Sequence, residues 1–331
     1  MAKVLVTGAA GTIGQAVMRR LLEDPAWEAR ASDQREMPAW IAAGAEVHSG
    51  DLRDRDEALR ATEGCDHVIH LAAIVGGIAN FHQLPYTLTD VNSSLYNGVI
   101  GAAVQAGVER FVYVSSSMVF ENAKVFPTPE DYLPECPVPT SAYGFSKLAG
   151  EHWVRAAHDE YGLPFTICRP FNAYGPGEMP EDEPGIAHAV PDLIRKCLAL
   201  PGDDSPLPIF GDGTHTRTLT HVEDIADGIV TAMASPAGLN EDFNISAGRE
   251  LTVAQIAEVI WNACGRDPDK FALETGPSFD VDVVRRWPDV SKAEGVLGWK
   301  AQIDVEDGVA STVAWLRETF GSTRPAQRRA E

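Results

Sequence analysis

The sequence predicts an α/β fold: a doubly wound parallel sheet joined to a smaller mixed α/β domain. Three observations carry this. Short apolar strands alternate with helical patterns from Lys3 to Cys168. The first strand runs directly into the turn Gly8-Ala9-Ala10-Gly11-Thr12-Ile13-Gly14. After Arg169 the alternation gives way to loops rich in Pro, Gly and acids, set between short helical stretches. Strand–helix alternation at this spacing buries each strand between helices and winds into a parallel sheet.

Taken in order, Lys3–Thr7 reads as a strand and Thr12–Leu22 as the helix after it. A second strand ends near Ala31-Ser32-Asp33, and Glu46-Val47-His48 is a third. Arg55–Ala61 is a helix and Asp66–Leu71 the fourth strand. Val91–Ala106 is a helix, Arg110–Ser115 the fifth strand, Ala142–Tyr161 a long helix and Pro164–Cys168 the sixth strand. Further on, helical patterns occupy Val190–Leu200, Glu223–Met233, Thr252–Cys264 and Val305–Phe320. This divides the chain into a sheet domain over 1–172, with a return to it over 213–240. A second domain takes 173–212 and 241–320, and 321–331 forms a polar, frayed tail.

The chain has 331 residues, 44% of them hydrophobic, enough for a large core in one or two domains. A net charge of −21 argues against nucleic acid or an anionic membrane as partner, because both would repel it. A phosphorylated small molecule stays open, since a local pair of arginines can override the global sign. Cys65, Cys136, Cys168, Cys197 and Cys264 show no Cys-x-x-Cys spacing, which points to reduced thiols, no metal site and a cytoplasmic protein. No stretch reaches the length of a membrane span, and the N-terminus enters a strand without a leader.

The glycine turn between strand and helix is the arrangement of a Rossmann-type dinucleotide site. Gly8 allows the tight turn, Gly11 lets the backbone approach a phosphate, and Gly14 lets the helix pack close. The helix N-terminus at Thr12 and Ile13 then offers free N–H groups to a pyrophosphate. Asp33, at the end of the second strand, would accept from the adenosine ribose hydroxyls and repel a 2′-phosphate, favouring NAD. Arg35 nearby softens that preference. Asp51-Leu52 and Leu71-Ala72-Ala73 lie at other strand ends on the same side; Asp51 could reach the adenine amino group.

Tyr143-Gly144-Phe145-Ser146-Lys147 opens the long helix, after a strand that ends in Ser115-Ser116-Ser117. Lys147, one turn from Tyr143, would stabilise its phenolate, as would a positive nicotinamide ring. That would bring a phenol of ordinary pKa about 10 toward operating pH, as a general base requires. The Ser116 hydroxyl could bridge phenol and substrate oxygen.

With these residues in view, the chain resembles extended short-chain dehydrogenases/reductases of the nucleotide-sugar epimerase and dehydratase type. The matching runs are Val6–Gly14, His70–Ala73, Tyr143–Glu151, Arg169–Pro176, Gly211–Arg217 and Arg286–Ala293, spread over nearly the whole chain. The resemblance implies an NAD enzyme acting on a nucleotide-diphosphate sugar. It implies contacts to the diphosphate or sugar from Asn172, Arg217 and either Arg285 or Arg286, with Ser117 beside the sugar. It also implies a homodimer through the helices Val91–Ala106 and Ala142–Tyr161.

Relatives that eliminate water carry an Asp-Glu pair after the catalytic hydroxyl, and decarboxylating ones a Glu where Met118 stands. Neither acid is present. Enzymes of the GDP-fucose synthase and GDP-mannose 3,5-epimerase kind carry a Cys there and, in the former, a His where His188 stands; the run Val75-Gly76-Gly77-Ile78 is similar to theirs too. His188 either touches the sugar or caps a helix. What remains is epimerisation at carbon 4 through a transient 4-keto sugar. The alternatives are 4-keto-sugar reduction, a 3,5-epimerase-type reaction, and a non-catalytic NAD-binding regulator.

Overall fold

The computed structural model describes residues 1–75, 84–181, 188–277 and 283–322. Among these, the main sheet has seven strands, all parallel. They are β1 (Ala2–Thr7), β2 (Trp27–Ser32), β3 (Glu46–His48), β4 (His67–His70), β5 (Arg110–Val114), β6 (Phe165–Pro170) and β11 (Glu241–Ile245). Their spatial order is β11-β6-β5-β4-β1-β2-β3. The order reverses direction between β1 and β4, where Val6 pairs with Ala31 on one side and Ile69 on the other. Such a reversal opens a crevice at the carboxyl ends of the strands, where ligands of these folds bind.

Helices cover both faces. One face holds α1 (Thr12–Glu23) with α7 (Val222–Ala234), and its core includes Val17, Met18, Leu21, Ile225 and Ile229. On the other lie α3 (Arg55–Thr62), α4 (Pro85–Ala106) and α5 (Ala142–Tyr161), around Tyr96, Phe111, Tyr113 and Val154. The α4 helix starts six residues before the predicted Val91, because Pro85 sits at its first turn, where a fixed φ suits the helix and no N–H is missed. A short helix over Ala39–Gly44, α2, was not foreseen in the sequence; Pro38 stands at its N-cap and only Ile41 is buried.

A third apolar cluster gathers residues that follow β6 in the chain, from Tyr174 to Leu316. It joins α6 (Ala189–Ala199), α8 (Val253–Ala263) and α9 (Val305–Ser322) around Ile194, Ile260, Trp261 and Leu316. Two-stranded pairs brace it: β7 (Ala173–Tyr174) with β10 (Thr220–His221), β9 (Thr216–Arg217) with β12 (Leu251–Thr252), and β8 (Leu207–Phe210) with β13 (Leu273–Gly276). The return segment runs beyond residue 240: β11 completes the main sheet by pairing Phe243 with Cys168. Of the tail, Gly321 and Ser322 continue α9, and 323–331 lie outside the described residues. Among the described residues no helix is long and apolar enough to cross a membrane.

Candidate active site

The crevice is a cleft of about 770 Å³ that runs from the glycine turn to the second domain. Gly8, Gly11, Thr12, Ile13 and Gly14 form its floor, and Asp33, Leu52, Leu71, Ala72 and Ala73 line it further along. Gly8 has φ +72, and a Cβ there would stand 2.8 Å from the Ala72 nitrogen. A Cβ on Gly14 would stand 2.1 Å from the Gly8 carbonyl oxygen. Only glycine lets these backbones meet. Gly11 occupies the N-cap of α1 without a side-chain cap, and no acid lies in the first turn. The helix therefore presents unshielded N–H groups to the cleft, a donor set suited to a diphosphate.

Asp33 is half-buried and engaged on both carboxylate oxygens. It accepts from the Ala10 N–H at 3.0 Å and from the Arg35 Nε and Nη2 at 3.1 and 2.9 Å. Burial pushes its carboxyl up, but the Arg35 fork and the Ala10 N–H outweigh that and hold it below the usual range. Arg35 thus neutralises Asp33 directly. Asp51 stands apart from the lining: its carboxylate is gripped by Arg53, at 2.9 Å from Nε, while Gly50, Leu52 and Arg53 reach the cleft.

Among the described residues, Ser116, Ser117, Tyr143 and Lys147 do not line this cleft, nor do Asn172, Arg217, Arg285 and Arg286. The end of β5 leads into a 3₁₀ turn over Ser117–Phe120. Ser116 caps that turn, accepting from the Met118 N–H at 3.2 Å. The first turn of α5 is held by Ser141, which accepts from the Gly144 N–H at 3.0 Å and donates to Glu121 at 2.7 Å. This docks Tyr143 beside Ser116, whose hydroxyl hydrogen-bonds the phenol. Met118 packs with Tyr143 and Leu88 in a small apolar cluster, and Ser117 is buried beside it.

Burial raises the Tyr143 phenol above its ordinary value; the Ser116 hydrogen bond and the Arg286 charge pull it partly back. Lys147 has its own anchor on the strand. Its ammonium donates to the Val114 carbonyl at 2.9 Å and lies 5.5 Å over the Tyr113 ring, directed into β5. Burial brings Lys147 down to about 8, against an upward pull from Glu151.

The substrate-side candidates divide. Asn172 has φ +40 and holds both faces of its amide: it donates to the Thr218 carbonyl at 3.0 Å and accepts from Arg286 Nη1 at 3.1 Å. Arg217 donates to the carbonyls of Thr216 and Val283 at 2.8 and 2.7 Å. Arg285 is committed elsewhere. It forks onto Glu250 at 2.7 and 2.8 Å and is sandwiched by Phe126 and Trp287, each ring centre 5.0 Å away. Arg286 alone of the pair acts on Tyr143 and on His188. His188 occupies the N-cap position of α6 but makes no side-chain cap; its imidazole pairs with Glu178, and both line the cleft. The Glu178 charge raises its pKa, with burial and Arg286 opposing. Gly76–Ile78 of the Val75–Ile78 run lie outside the described residues.

Several site residues were missed in the sequence. The amide of Asn92 on α4 clamps the Ile74 backbone, accepting at 2.7 Å and donating at 3.3 Å, and also donates to Ser146 at 3.2 Å. Its signal was a polar residue on the buried stripe Leu88-Leu95-Tyr96. Thr7 accepts from the Leu71 and Ala72 N–H groups at 3.2 and 3.1 Å and meets His70 at 2.8 Å, fixing the β4 end. Glu178 lies in an irregular loop and gave no signal.

A family model described as the NAD dependent epimerase/dehydratase family matches residues 4–246. The chain belongs to that family. Within the NAD-dependent epimerase/dehydratases, it is 32% identical over 331 residues to a UDP-glucose 4-epimerase of Mycolicibacterium smegmatis, covering 95% of this chain and 98% of the relative. Among solved structures, the UDP-glucose 4-epimerase of Thermotoga maritima with UDP-glucose superposes with a TM-score of 0.84 at 30% identity, covering 96% and 99% of the two chains. A UDP-glucuronic acid 4-epimerase of Bacillus cereus, in complex with UDP-glucuronic acid and NAD, gives 0.83 at 27% identity over 96% and 99%. NAD is the cofactor of this family, and the Gly8–Gly14 cradle and the bare N-terminus of α1 fit it.

Proposed function

We propose that the protein inverts carbon 4 of a nucleotide-diphosphate sugar through a transient 4-keto intermediate. The observation that carries this reading is the setting of Met118. Its thioether packs against Leu88 and Tyr143, where an acid would be needed to expel water or a thiol to work on a neighbouring carbon. Beside Met118 stands the proton-transferring phenol of Tyr143, hydrogen-bonded to Ser116.

NAD, held on Gly8–Gly14 and the N-terminus of α1, would supply the hydride acceptor and donor at carbon 4. Tyr143 takes the proton of the C4 hydroxyl and later gives it back. A buried phenol with a raised pKa needs positive charge to ionise; Arg286 contributes here, as does the oxidised nicotinamide when present. Ser116 holds the oxygen that passes between hydroxyl and carbonyl. Lys147, anchored on the Val114 carbonyl, places a cation one turn from Tyr143 on the same helix. Asn172, Arg217 and Arg286 hold the diphosphate and the sugar, the guanidinium forks suiting phosphate oxygens.

The His188–Glu178 pair supports a second reading, a 3,5-epimerase-type reaction, because it sets another proton-transfer group on the lining of the cofactor cleft. Purified protein with UDP-glucose, UDP-glucuronic acid and GDP- and dTDP-sugars, followed by mass spectrometry and proton NMR in deuterium oxide, separates the two. A product of unchanged mass with inverted carbon 4 and no deuterium on carbon supports the first reading. Deuterium at carbon 3 or 5 supports the second. Tyr143→Phe should lower turnover by about 10²–10⁴-fold and leave NAD binding intact; unchanged turnover would remove Tyr143 from the mechanism.

We further propose a homodimer formed through α4 and α5. These helices pack side by side and leave Phe145, Trp153 and Tyr161 partly exposed. Light scattering reads the mass directly. The five cysteines are all free thiols, which supports a reducing, cytoplasmic setting.

A further inference from the structure

A buried acid beneath the catalytic helix has no part in the chemistry above. Glu151 lies one turn beyond Lys147 on α5, almost wholly buried. It accepts from the Ser115 hydroxyl at 2.6 Å and from the Arg169 fork at 2.8 and 2.7 Å. Arg169, also fully buried, reaches on to Asp242 at 2.7 Å on β11 and lies 5.3 Å over the Phe120 ring. Lys292 closes the chain onto Asp242 at 2.8 Å.

The placement of these contacts is specific. Ser115 immediately precedes Ser116, and Phe120 ends the turn that carries Ser116–Met118. Arg169 lies on β6 just before Asn172, and Glu151 and Lys147 share one face of α5. A buried ion pair is a poor way to gain stability, because desolvation offsets most of the attraction and apolar residues of similar size pack as well. What a bidentate pair does give is fixed geometry.

We propose that Glu151 is a positioning residue. Together with Arg169 it fixes Ser116 and the Lys147 ammonium relative to Tyr143, and it keeps Lys147 cationic inside the core. The inference rests on the functional reading above for its kinetic part only. Lys147 faces Tyr143 and Glu151 on its own helix, Tyr113 and the Val114 carbonyl on β5, and His70 on β4. Glu151 is the acid among these. Around Glu151 stand Ser115 and Tyr113 from β5 and Arg169 from β6, with Asp242 behind Arg169.

The test uses Glu151→Gln and the paired apolar variant Glu151→Met/Arg169→Met, which removes both charges without orphaning either. Lys147 is titrated in the cofactor-free protein by NMR of carbon-13-labelled lysine, with Lys147→Arg assigning the signal. Both variants should titrate Lys147 at a lower pH than the wild-type protein does. With whichever nucleotide sugar the panel identifies, kcat should fall by about 10²-fold with KM nearly unchanged, as expected when reacting groups are misplaced by an ångström or so. A structural role alone predicts that the paired variant keeps wild-type melting, titration and kcat, and that result overturns the proposal. If the wild-type protein turns over no sugar, the functional reading fails, and the Lys147 titration still decides this one.

Discussion

The wall of the cleft at Gly8–Gly14 is built from near neighbours, whereas a second wall outside the cleft lining, made by Asn172, Arg217 and Arg286, is stitched from remote ones. Asp33 reaches a backbone N–H 23 positions away, along adjacent parallel strands. Arg286 reaches Asn172 across 114 positions, through a segment pinned to the Thr216 carbonyl. In the first wall the backbone itself is the device, and one misplaced methyl destroys it. In the second the device is a choice among side chains of the same type. Arg285 and Arg286 are adjacent and chemically identical, yet Glu250, Phe126 and Trp287 hold one away while Asn172 holds the other at the site.

The sharpest way to break this contrast is Gly14→Ala. Its Cβ would overlap the Gly8 carbonyl, and close-packed backbone cannot yield; the expected cost is about 3 kcal/mol or more, with NAD binding lost. Thermal melts and calorimetry with NAD read both, and a variant that melts and binds like wild type would remove the claim that the turn is rigid. Next, Arg286→Ala should weaken binding of UDP to the NAD-loaded protein by about 10–100-fold, the scale of a lost hydrogen bond to a charged group. Arg285→Ala should weaken it by less than about fivefold, since its pair with Glu250 is partly exposed. Equal losses would erase the distinction drawn between them.

Asp33→Asn sharpens the first wall on a smaller scale. It leaves the Ala10 contact possible but releases Arg35, so NAD affinity should fall by roughly tenfold while NADP affinity holds or rises. Parallel titrations with the two dinucleotides measure the ratio. The smallest effect concerns His188. Its pKa is raised in the folded protein by Glu178, so the pair's stabilisation is complete below the unfolded value of 6.5 and is lost as pH rises through the folded one. Glu178→Gln should therefore lower Tm slightly at about pH 5.5 and leave it unchanged at about pH 8.5. A loss that persists at the higher pH would mean that Glu178 acts through packing.

The same contrast explains what could be read from residues alone. The sheet, its helices and the cofactor turn were legible because each rests on local periodicity or on a glycine between strand and helix. Tyr143, Lys147 and Ser116 were legible as types, but the direction of the Lys147 ammonium was not. That direction depends on where the Val114 carbonyl and the Tyr113 ring lie, which only the packing of α5 on β5 decides. Choosing between Arg285 and Arg286 needed Glu250, a residue the sequence gave no reason to single out. The Glu178 partner of His188 was hidden for the same reason.

Asn172 shows how far such packing can narrow a position. Its backbone sits at φ +40, where glycine, asparagine and aspartate are the residues that settle readily. Its side chain must donate to the Thr218 carbonyl and accept from Arg286 at once. Glycine satisfies the first demand and neither part of the second; aspartate accepts but has nothing to donate; glutamine could do both, but from the wrong backbone. Two constraints that are each permissive intersect on one letter. In the language of information, the position is written in an alphabet of a single symbol, so the second wall holds at least one letter as narrow as the glycines of the first.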